Sequence, residues 1–178
     1  TGRAFIPLPV SWRIHEQLMD TELHPLILMI GLNHKIAPVD VRECLVFNPE
    51  KIPPALHELV GIGGCDDPVI TEAALLSTCN RTEIYIQTDD LDRAELFLRD
   101  FLVHHGGPEM EKIRCMAYVK RGKEAVLHLM NVTAGLDSLV LGENEILGQV
   151  RSAFEMAKNA GTSGVILSAL FRNAIQAG

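Results

Sequence analysis

Residues 26 to 32 form an uninterrupted apolar run broken only by Gly31, and Asn33-His34-Lys35 follows it directly. The run predicts a buried first strand that delivers its C-terminal end to a polar loop closed at Pro38. Asn48-Pro49 is a helix start, and Ile52, Leu56, Leu59 and Val60 recur at helical spacing up to Gly61. The stretch 73–88 is read as one strand-like segment, in which Ile84 and Ile86 alternate with Glu83, Tyr85 and Gln87. Asp90 caps a helix with the stripe Leu91, Ala94, Phe97, Leu98, Phe101 and Leu102, ended at Gly106-Gly107-Pro108. Further on the pattern predicts a strand at 115–119, a helix at 122–132, a helix at 143–160 and an amphipathic segment from 163 to the end, still helical where the chain stops. This order predicts an α+β fold: a small sandwich of a few-stranded sheet with packed helices, followed by a helical arm.

Residues 1–25, with Pro7, Pro9, Pro25 and Trp12 but no periodicity, read as a leader, an expression remnant or an extension. That leaves residues 26–160 as one domain and 161–178 as the start of a linker helix. A chain of 178 residues, 47% hydrophobic and 22% charged, suits one globular core and excludes disorder as the main reading. The longest apolar run near the start is far short of the roughly 20 residues that span a bilayer, and no signal-peptide pattern precedes it, so a soluble cytoplasmic protein is expected. Cys44, Cys65, Cys79 and Cys115 are scattered with no CxxC pair, which suggests neither a metal site nor a disulfide framework. The formal net charge of -7 argues against a domain that grips nucleic acid mainly through its phosphates.

The stretch with the most chemistry is Ser77-Thr78-Cys79-Asn80-Arg81-Thr82-Glu83-Ile84-Tyr85. If it is extended, side chains two apart share a face, so Cys79 and Arg81 would line a common surface. A nearby cation favours thiolate, the attacking form of cysteine. The Arg81 fork also suits bidentate capture of a carboxylate. Sequence leaves both roles open for Arg81, beside the alternative that Cys79 is a small buried apolar residue and Arg81 a surface charge. His128 is the histidine candidate: an advance of about 200° from Val126 turns it away from the stripe Val126, Leu129, Met130 and Thr133, toward a cleft or water. Asp137, Ser138, Glu143, Asn144, Glu145 and Gln149 cluster where a loop enters a helix, a place that suits polar ligands and equally ordinary capping. Gly61-Ile62-Gly63-Gly64 follows a helix, with Asp66 where a third glycine would be needed, and reads as a terminator rather than a phosphate loop.

Five stretches in register resemble the glutamyl-tRNA reductase family. They are Gly31-Leu32-Asn33-His34-Lys35 with Ala37-Pro38, Ser77 to Tyr85, His128-Leu129-Met130, Gly135 to Glu143, and Ile146 to Val150. The resemblance implies that Cys79 attacks the aminoacyl ester of glutamyl-tRNA to form a thioester. NADPH then reduces it to glutamate-1-semialdehyde, the first step of tetrapyrrole (porphyrin, haem) biosynthesis from glutamate. It further implies Thr78, Asn80, Arg81, Ser138, Glu143, Asn144, Glu145 and Gln149 as substrate contacts, Arg81 suiting the glutamate carboxylate, with His128 beside the thiol. Two positions depart from the family pattern: Glu145 replaces the usual glutamine, and Ile36 the usual threonine.

The family also has an NADPH-binding domain and a helical dimerisation domain on a spinal helix. With no GxGxxG in the sequence, the chain is expected to be a fragment that binds no cofactor itself and at most forms and hydrolyses the thioester. Implied partners are glutamyl-tRNA, a second subunit through the dimerisation domain, and glutamate-1-semialdehyde aminomutase as the next enzyme. The competing readings are another cysteine-dependent hydrolase or acyltransferase, and a noncatalytic binding module of the same fold.

Overall fold

A computed structural model describes residues 27–61, 68–107, 111–137 and 145–178. Strand β1 is Ile27–Asn33, helix α1 Val39–Cys44, and a 3-10 turn at Pro49–Lys51 leads into α2, Ile52–Leu59. Strands β2, Ile70–Ser77, and β3, Arg81–Thr88, precede α3, Leu91–Gly106, and α4, Glu111–Met116. Strand β4, Tyr118–Arg121, is followed by α5, Lys123–Thr133, α6, Glu145–Asn159, and α7, Val165–Ala177. The strands form one antiparallel sheet in the order β2-β3-β1-β4. The fold is α+β, as the sequence pattern predicts.

Three elements differ from the pattern reading. The stretch 73–88 is a hairpin of two strands, because the Thr78 hydroxyl accepts the backbone N–H groups of Asn80 and Arg81, both at 3.1 Å, while Thr78 N–H donates to the Arg81 carbonyl at 2.8 Å. A threonine hydroxyl that captures amides two and three residues ahead makes a turn out of an otherwise β-favouring run. The strand expected at 115–119 begins only at Tyr118; the residues before it close as α4, whose end is held where Arg99 of α3 donates to the Arg114 carbonyl at 2.5 Å. Helix α1 escapes an apolar-periodicity reading because it buries none of its residues.

Every residue of β1 is buried, which explains its unbroken apolar run: both faces of the sheet are covered. Strand β3 alternates as expected, yet its polar face does not meet water, since Arg81, Glu83 and Tyr85 are as buried as Ile84 and Ile86. That face is closed by α5 and α7. Phe171 of α7 packs edge-on to Tyr85 and stacks on Phe154 of α6, each with ring centroids 5.6 Å apart. Helix α7 thus lies on the core, with Leu167, Leu170, Phe171 and Ala174 fully buried; each large apolar side chain so buried contributes roughly 1.5–3 kcal/mol. Its N-terminus is fixed by Glu72 of β2, whose carboxylate accepts from Ile166 N–H at 3.1 Å and Leu167 N–H at 2.7 Å. Gly164 makes room for that carboxylate: a Cβ there would stand 2.4 Å from Glu72 Oε1. Among the described residues no helix is long and apolar enough to cross a membrane.

Candidate active site

The register places Asn33, the last residue of β1, opposite Arg81, so the loop after β1 runs beside the β2–β3 turn. His34 N–H donates to the Asn80 carbonyl at 3.0 Å. Arg42 of α1 reaches the same turn, Nη1 donating to the Cys79 carbonyl at 2.5 Å and to Asn80 Oδ1 at 3.3 Å. Cys79 is exposed on this turn, its thiol free. Cys44 and Cys115 are also free and exposed, but each sits in a short helix outside the 77–85 stretch.

Arg81, by contrast, is only 2% exposed. The expectation that Cys79 and Arg81 line one surface is therefore corrected: the chain turns between them, leaving the thiol outside and sending the guanidinium inward. Arg81 Nη1 bonds Glu83 at 2.7 Å and the Asp137 carboxylate at 3.2 Å, and Nη2 bonds the Asp137 carbonyl at 2.5 Å. Asp137 also pairs with Lys35 from the loop after β1.

Glu83 is the centre of this network and was not singled out from sequence. Its Oε1 accepts from Arg81 Nη1, from Tyr118 OH at 2.6 Å and from His128 Nε2 at 2.9 Å, while Oε2 accepts from Tyr85 OH at 2.6 Å. Burial opposes ionisation here, but the His128 hydrogen bond, the Arg81 charge and the Tyr118 hydroxyl outweigh it and hold the carboxyl at about 2. Burial, followed by the neighbouring Glu83 charge, pushes the Tyr85 and Tyr118 hydroxyls upward, so both remain donors. Gly31 lets the carboxylate lie across β1, since a Cβ there would stand 2.7 Å from both Glu83 Cγ and the Thr82 carbonyl oxygen.

His128 is buried and packs edge-on to Tyr118, which corrects the expectation that it faces a cleft or water. The helical angle was sound, but β4 and the polar face of β3 occupy the space into which it turns. Because Glu83 is ionised and can only accept, Nε2 is the donor in this hydrogen bond. His34, beside the thiol turn, has a buried Nδ1 with no hydrogen-bond partner among the described residues. Burial, with the charges of Arg81 and Lys35 next, lowers its pKa.

Between β2 and α6, a pocket of about 420 Å³ is lined by Leu75, Ser77, Glu145, Gln149, Ser152 and Met156, among other residues. Ser77 lies two residues before Cys79, and Gln149 Nε2 donates to Glu145 Oε1 at 3.4 Å within α6. Among the described residues no lysine or arginine lines this pocket.

Comparison with known proteins decides what this arrangement belongs to. The model of the glutamyl-tRNA(Glu) reductase N-terminal domain matches residues 30–178. The chain belongs to this family. Glutamyl-tRNA reductase of Listeria welshimeri is 46% identical over 149 residues, 84% of this chain and 33% of the relative, and that of Halorhodospira halophila 48% over 148 residues, 83% and 31%. The solved structure of glutamyl-tRNA reductase from Methanopyrus kandleri superposes with a TM-score of 0.66 at 32% identity, covering 85% of this chain and 33% of that one. The chain therefore spans about a third of the length of the relatives it matches.

Within this family frame the site residues read from sequence fall into two described groups. Thr78, Cys79, Asn80, Arg81 and His128 gather at the β2–β3 turn and the polar face beneath it, with Thr78 forming the turn itself. Glu145 and Gln149 line the pocket on α6. Ser138, Glu143 and Asn144 lie outside the described residues, as do 1–25 and the glycines after Gly61. Glu83, Tyr118, Lys35 and Arg42 were missed as site residues. The signal for Glu83 was present, a carboxylate two residues after Arg81 on the same face of a strand.

NADPH does not fit the described residues. A dinucleotide pyrophosphate sits at the carboxyl ends of parallel strands, on a glycine-rich turn that enters a helix. This sheet is antiparallel throughout.

Proposed function

We propose that this chain supplies the thiol half of a glutamyl-tRNA reductase. The observation that carries the reading is the exposed Cys79 thiol on a tight turn braced from three directions, by Thr78, His34 and Arg42. The Cys79 thiolate attacks the carbonyl carbon of the aminoacyl ester. A sulfur–carbon bond forms, the bond to the terminal ribose oxygen breaks, and the tRNA departs with that oxygen protonated, leaving glutamate as a thioester. The reductase reading assigns hydride delivery to NADPH held outside the described residues.

Arg81 reaches the substrate carboxylate when Asp137, which now covers its outer face, gives way. Lys35 is the second cation at that opening, with its side chain 55% exposed. His128 contributes through Nδ1 or by fixing Glu83 and the strand beneath the thiol. The pocket bearing Glu145 and Gln149 takes an uncharged part of the substrate, since its described lining holds a carboxylate and no cation. Residues 1–25 are a leader or an extension, and 161–178 lead toward the spinal helix of the family. Dimerisation and a handover to the aminomutase complete the reading for the whole enzyme in the cytoplasm.

The test is single-turnover release of deacylated tRNA from glutamyl-tRNA by the 178-residue chain and by its Cys79→Ser variant. Release by the first and not by the second is expected. Equal release by both would remove Cys79 from the reaction and favour a binding module. Comparable release from tRNAs charged with other amino acids would favour a general acyl hydrolase.

A further inference from the structure

Helix α1 has no buried residue, yet it carries a side chain engaged at both ends of its reach. Arg42 Nε donates to the Ala37 carbonyl at 3.2 Å, and Nη1 donates to the Cys79 carbonyl at 2.5 Å and to Asn80 Oδ1 at 3.3 Å. These are the bonds of a strut between the loop after β1 and the thiol turn. The turn's own hydrogen bonds, from Thr78, fix its shape but not its position over the sheet. Its base is tied by Phe47 N–H to Ser77 Oγ and by Thr82 Oγ1 to the Leu45 carbonyl, and its tip by Arg42 and by the His34 N–H bond to the Asn80 carbonyl.

Resting on the reading of Cys79 as nucleophile, we propose that Arg42 is a positioning residue for the acyl transfer: it holds the thiol turn in place and sets its cation beside the thiol. Arg81, the cation that sequence spacing pointed to, is committed to Glu83 and Asp137. Arg42 has no carboxylate partner among the described residues. Covalent geometry keeps the carbonyl oxygen and Sγ of one cysteine within about 4.5 Å, so Nη1 lies within about 7 Å of the thiol. At that range a cation favours the oxyanion that develops on the ester. Lysine does not replace it, because one ammonium cannot span Ala37 and Cys79 in the way a planar fork does.

The experiment measures single-turnover thioester formation from saturating and subsaturating labelled glutamyl-tRNA, on the unaltered chain and on Arg42→Ala, Arg42→Lys and Glu43→Ala, with circular dichroism and thermal midpoints as folding controls. Arg42→Ala is expected to slow the saturated rate about 10- to 100-fold with little change in the half-saturating concentration, the signature of a misplaced reacting group. Arg42→Lys should recover only a small part, Glu43→Ala should match the unaltered chain, and free guanidinium at tens of millimolar should partly restore Arg42→Ala. Unchanged saturated rates in a folded Arg42→Ala chain, or a loss that guanidinium does not relieve, would overturn the strut. No thioester on the unaltered chain would instead remove the nucleophile reading on which the proposal rests.

Discussion

Replacing Glu83 with glutamine keeps the shape of the buried hub and removes its charge. Glutamine can still accept through its oxygen, and the Tyr85 hydroxyl can turn to accept from the new amide, so the hydrogen-bond count changes little. What is lost is the anion against Arg81, which is 2% exposed and cannot recover water. Two routes give the magnitude. Removing one partner of a buried ion pair costs about 3–5 kcal/mol, and here the lower end applies because Asp137 still faces Arg81. The lowering of the carboxyl from an ordinary 4.5 to about 2, to which the same Arg81 charge contributes, corresponds to about 3 kcal/mol.

The sign follows from the depressed pKa: the contribution is fully present above pH 4.5 and is lost as pH falls toward 2. Urea unfolding followed by circular dichroism at pH 7 should therefore show Glu83→Gln less stable by about 3 kcal/mol, with the gap narrowing through that acid window. A loss under 1 kcal/mol at pH 7, or a gap that does not change with acid, would refute the reasoning.

Gly31→Ala drives a Cβ against the Thr82 carbonyl oxygen and Glu83 Cγ, and is expected to destabilise by about 1–3 kcal/mol in the same urea assay while weakening its acid dependence. Glu72→Ala removes the acceptor for Ile166 and Leu167 N–H and should cost about 1–2 kcal/mol, read as a fall of a few degrees in the thermal midpoint. Glu145→Gln takes a carboxylate from the pocket rim, and is expected to lower the half-saturating concentration of glutamyl-tRNA about twofold to fivefold without changing the saturated rate.

Elements whose burial follows from local pattern were legible in the chain. The run of β1, the capped helix after Asp90 and the amphipathic last helix all stand close to where periodicity puts them. Helix α1 was not, because periodicity detects a buried face and this helix has none. The turn at 78–80 was hidden for a different reason: threonine, cysteine and asparagine read as tolerable strand residues until the Thr78 hydroxyl is seen to capture two amides.

At the site, Cys79 was legible as chemistry and its motif as family, but the environment of Arg81 was not. Alternation fixes which residues share a face of β3, whereas only tertiary packing decides whether that face meets water or the Tyr118, His128 and Phe171 side chains. The same gap misplaced His128: helical angle gives a direction, and the occupant of that direction comes from a strand 45 residues away in sequence.

The most direct test of the account is to mix the chain with glutamyl-tRNA carrying labelled glutamate, quench in acid, and weigh the peptide that contains Cys79. The account predicts the mass of one glutamyl group on that peptide, absent from the Cys79→Ser chain and released by hydroxylamine as expected of a thioester. An unmodified Cys79 peptide from a folded chain, with the label found elsewhere or only in water, would contradict it.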